Sequence, residues 1–181
     1  MKRVLSLLKR IKRMIYKKIL INLNKNVHVT GVLDIDRNVF IETREGGIIS
    51  FNNKYNHLGS NTTIKAIGNG CIQFDGVGIN TNCYIVSMKS ISIGAGSILG
   101  PNVVCVDHDH DFKNQLGLSA MHYTTGTISI GKNVWIGANT VILKDTIIGD
   151  NCVIGAGSVV KGEIPKGTIL IQKREKQVMS Y

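Results

Sequence analysis

Between Ile130 and Val160 an aliphatic residue recurs every six positions, at 130, 136, 142, 148, 154 and 160, without a slip. Glycine follows it at 131, 137, 149 and 155, and a small or β-branched residue stands four places after it: Val134, Thr140, Thr146, Cys152 and Ser158. A six-residue period is neither the 3.6 of a helix nor the simple alternation of a strand. It suits a short flat strand that ends in a corner, with the aliphatic residue pointing inward and a glycine or asparagine turning the chain. A fixed short period marks a solenoid, because each turn buries its apolar residue only by stacking on the next. Three sides of six residues predict a triangular coil of about eighteen residues, the hexapeptide form of the parallel β-helix.

The rest of the chain joins this pattern unevenly. From Asn24 to about Gly78 apolar residues still alternate, but the six-residue phase is loose and turn-rich patches such as Glu45-Gly46-Gly47 interrupt it. Irregular early coils with longer corners are expected there. Regularity returns at Ile79, Ile85 and Ile91 and is lost from Asp107 to about Gly126, before Ile128-Ser129-Ile130-Gly131 restarts it. Such a gap reads as a loop thrown out of one corner, where function commonly resides. Residues 1–22 form a separate unit. On a helical wheel Val4, Leu5, Leu7, Leu8, Ile11, Met14, Ile15 and Ile19 share one half, and most Lys and Arg share the other. The expected organisation is a basic amphipathic arm over 1–22, a β-helix over 23–171 with an inserted loop at about 107–126, and a basic tail over 172–181.

Charge sharpens this division. Residues 1–26 hold nine Lys or Arg and no acid, whereas residues 27–181 hold thirteen against twelve. The body is therefore near neutral, which argues against a nucleic-acid reader with a basic stripe on its fold. Basic residues break every apolar run in the arm, so it is not a transmembrane span. Two roles fit it: packing on the first coils or a neighbouring subunit, or attachment to an anionic membrane surface. Aromatics are only 6% of the chain, in keeping with a narrow prism filled by Ile, Val and Leu. Cys71, Cys83, Cys105 and Cys152 lack CxxC spacing and read as reduced, small core residues of a cytosolic protein. The expected location is cytoplasmic, with peripheral contact at the inner membrane surface if the arm binds lipid.

Candidate chemistry gathers where the phase is lost, in Asp107-His108-Asp109-His110-Asp111. In an extended segment both histidines project to one side and the three aspartates to the other. Three readings are open from spacing. One imidazole is a general base oriented through its other nitrogen; the pair ligates a metal together with His57 or His122; or the segment is a solvated loop. His28 and His57 have no comparable company in the sequence.

The hexads of Ile130–Val160, the Ile91-Ser92-Ile93-Gly94…Gly100-Pro101-Asn102-Val103 coil and the loop histidine together resemble the left-handed β-helix acyltransferases. Within them the chain is most similar to the galactoside, maltose and polysaccharide O-acetyltransferase branch. The likeness covers about residues 78–170 well, the first coils weakly and the arm hardly at all. It implies a homotrimer that binds acetyl-CoA between subunits, needs no metal, and acetylates a hydroxyl of a sugar belonging to a cell-surface polysaccharide or its precursor. The family's catalytic histidine falls on His110, with His108 its neighbour at the acceptor. The acceptor-binding asparagine falls on Asn80, whose plainer role is a corner residue, and the acceptor-binding aspartate falls on Met88, so that contact is lost. For CoA the likeness implies Ala138 and Ala156 along the pantetheine arm, then Lys161, Gly162 and, in the tail, Lys176. Lys166, Lys173 and Arg174 are further candidate cations for the phosphates, and Trp135 reads as a packing residue beside the groove. Other readings are an N-acetyltransferase on an amino sugar, a zinc β-helix hydratase, and a non-catalytic scaffold.

Overall fold

The computed structural model describes residues 11, 25–52, 55–113, 115–118, 121–173 and 178–179. The amphipathic arm, apart from Ile11, and Lys176 lie outside the described residues. The chain from Val27 to Leu170 is a triangular parallel β-helix. Its first face runs through the strands Val27–Val29, Ile48–Asn52, Cys71–Asp75, Ser90–Ile93 and Thr127–Ile130; the second begins at Val32–Ile35 and the third at Phe40–Arg44. Every ladder in the stack is parallel.

Inward residues align coil upon coil. Phe51, Phe74, Ile93, Ile130, Ile148 and Ile164 share one register line on the first face. Leu58, Ile79, Leu99, Ile136, Ile154 and Leu170 do so on the second. Ile41, Ile64, Ile85, Cys105, Ile142 and Val160 do so on the third. The steps of this last line are 23, 21, 20, 37 and 18 residues. Early coils are longer through their strands and not, as expected, their corners: Phe40–Arg44, Ile48–Asn52, Thr63–Ile67 and Cys71–Asp75 outrun Ser90–Ile93 and Val104–Val106. The inserted segment accounts for the step of 37, and only the last coils keep the eighteen-residue turn. Phe51 and Phe74 stack with ring centres 5.0 Å apart, filling a wider early section with aromatic volume. Cys83, Cys105 and Cys152 are buried, and Cys71 is half-buried; all four are free thiols. Burial pushes the Cys83 and Cys105 thiols up, which suits inert core packing.

The two turn-forming residue types divide the labour differently from the sequence expectation. Asparagine, three places after the aliphatic residue, makes the left-handed turn: Asn133, Asn139 and Asn151 have φ of 54°, 57° and 58°. The side chains also ladder, Asn102 Nδ2 donating to Asn139 Oδ1 at 3.0 Å and Asn133 Nδ2 to Asn151 Oδ1 at 3.3 Å. The glycine directly after the aliphatic residue is needed for close approach. A Cβ on Gly137 would stand 2.5 Å from the backbone nitrogen of Ala156 in the next coil. The fourth position holds inward hydroxyls that cap corner carbonyls. Thr140 Oγ1 donates to the oxygen of Gly155 at 3.3 Å and Ser97 Oγ to that of Gly131 at 2.8 Å.

Candidate active site

The inserted segment leaves the prism at the corner between its third and first faces. After Val104–Val106 the chain pairs His108–His110 antiparallel with Tyr123–Thr125, and Thr127–Ile130 rejoins the first face. The segment is not a loop throughout, as the broken phase predicts; its base is a two-stranded hairpin. Alternation places both imidazoles on one side, where Tyr123 receives them: its ring centre is 4.7 Å from that of His110 and 5.5 Å, edge-on, from that of His108. The opposite side is gripped by the solenoid. Lys144 Nζ lies 3.3 Å from Asp109 Oδ2 and donates to the carbonyl and hydroxyl oxygens of Thr124.

The two histidines differ in surroundings. His108 is half-buried, and its Nδ1 is 3.3 Å from Asp107 Oδ1. His110 is exposed, with Tyr123 as its ring neighbour. Asp107 is fully buried, which sets it apart from the exposed Asp109 in the same cluster. Burial by itself would push its carboxyl up, but hydrogen bonds from His108, Ser87, Met88 and Lys89 outweigh it and hold the group below the usual carboxylate range. A depressed value means that these bonds contribute to stability above the unfolded value of about 3.9 and are lost as pH falls through the lower folded value. Met88, where the resemblance places an acceptor-binding aspartate, supplies only its backbone N–H here, to Asp107 Oδ1 at 2.7 Å.

The other residues expected at the site lie elsewhere on the prism. Ala138 and Ala156 stand in adjacent coils at the corner between the second and third faces, linked by Gly157 N–H donating to the Ala138 oxygen at 2.8 Å. Asn80 belongs to the same corner lower in the stack, its Oδ1 accepting from Thr81 N–H at 2.7 Å. Lys161 and Gly162 lie on the strand Val159–Ile164 where it turns from the third face to the first, Gly162 at φ 86°. The third face thus separates two groups: Asn80, Ala138 and Ala156 on one edge, the hairpin with Lys161 and Gly162 on the other. The structure does not bring Asn80 or the alanines to His110 within one chain. Lys166 lies at the remaining corner, against Gly149, away from Lys161. The tail approaches the last coil through Gln172, whose side-chain amide bonds both backbone groups of Val159 at 2.9 and 2.7 Å. This ties the tail to the start of the last third-face strand.

Several smaller expectations change. Trp135 is 58% exposed on the outside of the second face, in register with Ile98 and Val153, because its position in the hexad points outward. His57 stands between two carboxylates, Nδ1 3.5 Å from Asp34 and Nε2 3.8 Å from Asp36, on that same face. It is therefore not a third ligand beside His108 and His110. Among the described residues no group of three His, Cys, Asp or Glu is placed to hold a metal ion. A shallow open groove of about 300 Å³ on the first face, lined by Asn52, Gln73, Asp75 and Ser92 among others, contains none of the expected site residues. No helix among the described residues is long and apolar enough to cross a membrane. Sequence reasoning missed Tyr123 and Lys144. The only signal for them was the antiparallel pairing of the loop's two ends, which a chain with no turn motif between them does not announce.

Hexapeptide repeats coiled into a β-helix define a class of transferases. Comparison with known proteins agrees. Residues 127–162 match the family model described as bacterial transferase hexapeptide (six repeats). The chain is 33% identical over 147 residues to a protein of Escherichia coli K12 provisionally named lipopolysaccharide biosynthesis O-acetyl transferase WbbJ, covering 76% of this chain and 74% of that one. It is 39% identical over 90 residues to the galactoside O-acetyltransferase of the same organism, covering half of this chain and 44% of the relative. Among solved structures, a maltose O-acetyltransferase from Clostridium difficile 630 superposes with a TM-score of 0.57 at 26% identity, covering 80% of this chain and 65% of the other. A galactoside acetyltransferase in complex with coenzyme A gives 0.51 at 25% identity, with coverages of 78% and 58%. The chain belongs to the hexapeptide-repeat acetyltransferase family.

Proposed function

We propose that this protein transfers an acetyl group from acetyl-CoA to a hydroxyl of a sugar, within a cell-surface polysaccharide or its precursor. The observation that carries the proposal is the hairpin: it holds two imidazoles at the edge of a prism whose relatives are O-acetyltransferases. His110 accepts the hydroxyl proton as the sugar oxygen attacks the thioester carbonyl carbon. The tetrahedral intermediate is held by the backbone N–H of Ala138. Its collapse breaks the carbon–sulfur bond, and the CoA thiolate leaves with the proton returned by the imidazolium. His108 and Asn80 face the acceptor. Ala138 and Ala156 line the pantetheine arm, and Lys161, Gly162 and Lys176 serve the phosphates.

The division of these residues between two edges of one face supports a homotrimer in which one subunit's hairpin meets the next subunit's alanine row. Three to five strand residues at about 3.3 Å each set those edges roughly 10–17 Å apart, too far for hydrogen bonding within a chain. The test is release of the CoA thiol from acetyl-CoA in the presence of a panel of neutral hexosides and amino sugars, with mass spectrometry of the products. Ester products are expected. Amide products from the amino sugars alone would replace the O-acetyl assignment, and failure to bind CoA would end the proposal. The basic arm at 1–22 supports a peripheral contact of the same enzyme with anionic membrane. The full-length protein is expected to float with phosphatidylglycerol vesicles and not with phosphatidylcholine vesicles; equal behaviour with both would leave the arm a packing role.

A further inference from the structure

Asp107 is a buried titratable group that the proposed mechanism leaves unused. Its Oδ2 accepts from Ser87 Oγ at 2.6 Å and from the backbone N–H groups of Lys89 and Ser90 at 2.9 and 2.8 Å. Its Oδ1 accepts from Met88 N–H at 2.7 Å and faces His108 Nδ1 at 3.3 Å. The backbone of the same residue joins two further points: its N–H meets the oxygen of Val86 at 3.4 Å, and its carbonyl accepts from Gly126 N–H at 2.7 Å. Three passes of chain thus meet at one residue: the corner 86–90 of the preceding coil and the outgoing strand of the hairpin at its side chain and backbone, and the returning end of the hairpin at its carbonyl.

Capping a corner does not require a carboxylate. Thr140, Thr146 and Ser158 close other corners with hydroxyls that donate to carbonyl oxygens. At 87–90 the polarity is reversed, since four donors converge on one acceptor, and a charged acceptor makes such bonds about twice as strong as neutral ones. The hairpin departs from the same edge of the prism one coil later. The carboxylate also fixes the neighbouring ring, because an imidazole beside a carboxylate acceptor places its proton on the facing nitrogen.

We propose that Asp107 is a positioning residue for the transfer: it sets the direction in which the hairpin leaves the prism and holds His108 with Nδ1–H toward its carboxylate. His110, two residues further along the same short strand, is placed by that orientation. The inference rests on the reading of His110 as the base, and its primary readout does not depend on activity.

The experiment compares full-length wild type with Asp107→Asn, in which the side-chain amide loses one acceptor oxygen. Long-range proton–nitrogen spectra report the His108 tautomer, and hydrogen exchange reports the amides of 108–110 and 123–126 against those of the coils. In the wild type His108 is expected as the Nδ1–H form. In Asp107→Asn that preference is lost and hairpin exchange rises about tenfold or more while coil amides stay protected. With an acceptor from the panel, kcat falls roughly 10- to 100-fold, and KM for acetyl-CoA changes less than kcat because Asp107 touches none of the residues proposed for CoA. If Asp107→Asn does not fold, Ser87→Ala removes a single donor and is expected to give the same changes at smaller amplitude. An unchanged tautomer and unchanged hairpin exchange in a variant that folds overturn the proposal. A wild type with the Nδ1–H tautomer and a protected hairpin that acetylates no acceptor sinks the activity reading instead.

Discussion

Replacing His110 by alanine is expected to lower kcat for acetyl transfer by about 10²- to 10⁴-fold, the usual cost of losing a general base. Binding of CoA should stay within about twofold, since the residues proposed to hold CoA are Ala138, Ala156, Gly162 and lysines, and the imidazole is not among them. The exposed ring of His110 rests against Tyr123, and among the described residues no hydrogen bond ties it to the solenoid, so its removal should leave the fold intact. His108 is the informative comparison. It is half-buried and bonded to Asp107, so His108→Ala removes a strut of the hairpin and is expected to impair both turnover and hairpin protection. The measurement is steady-state release of the CoA thiol from both variants, alongside calorimetric titration with CoA. Near-normal turnover of His110→Ala beside a dead but folded His108→Ala would transfer the base to the Asp107–His108 pair.

A single methyl group at Gly137 is expected to be among the most destabilising substitutions in the solenoid. The added Cβ would meet the nitrogen and Cα of Ala156 at 2.5 and 2.8 Å and the oxygen of Ile154 at 2.8 Å, all of them backbone atoms. Backbone cannot swing aside as a side chain can, and the coils are held at about 4.8 Å by their ladders. Gly137 N–H itself donates to the oxygen of Ile154 at 2.7 Å, so relief of the clash stretches a rung. Overpacking costs about 1–3 kcal/mol where side chains can adjust; Gly137→Ala should fall at the upper end. For a chain of this size that lowers Tm by roughly 5–10 °C. Gly162→Ala makes the contrast, because open space surrounds its Cβ and only a φ of 86° opposes the change. Its cost should be nearer 1 kcal/mol. Thermal unfolding at one protein concentration separates the two, and a Gly137→Ala protein that melts with the wild type would refute the close-approach account of the hexad glycine.

How much of this was legible in the sequence depends on the range of the interactions. The period of six, the inward aliphatic line and the place where the phase breaks are repeated or local properties, and each reappears in the register of Ile130, Ile136, Ile142 and their successors. The pattern did not separate the roles of asparagine and glycine. Both stand near corners, yet Asn139 turns the chain while Gly137 admits the next coil. Nor did it distinguish the aspartates at 107, 109 and 111, which look alike in the sequence and differ in what the preceding and following coils present to them.

The sequence alone determined that this chain stacks triangular turns, that its body is near neutral, and that one interruption carries the titratable groups. These follow because a solenoid repeats the same short-range preference at every coil, so the signal accumulates along the chain. Only the tertiary structure decided that Asp107 is buried under four donors, that Tyr123 faces both imidazoles, and that the expected site divides between two edges of one face. Those facts depend on contacts between residues well separated in sequence, 17 to 20 positions around Asp107 and 13 to 15 around Tyr123, and no local pattern encodes such pairings.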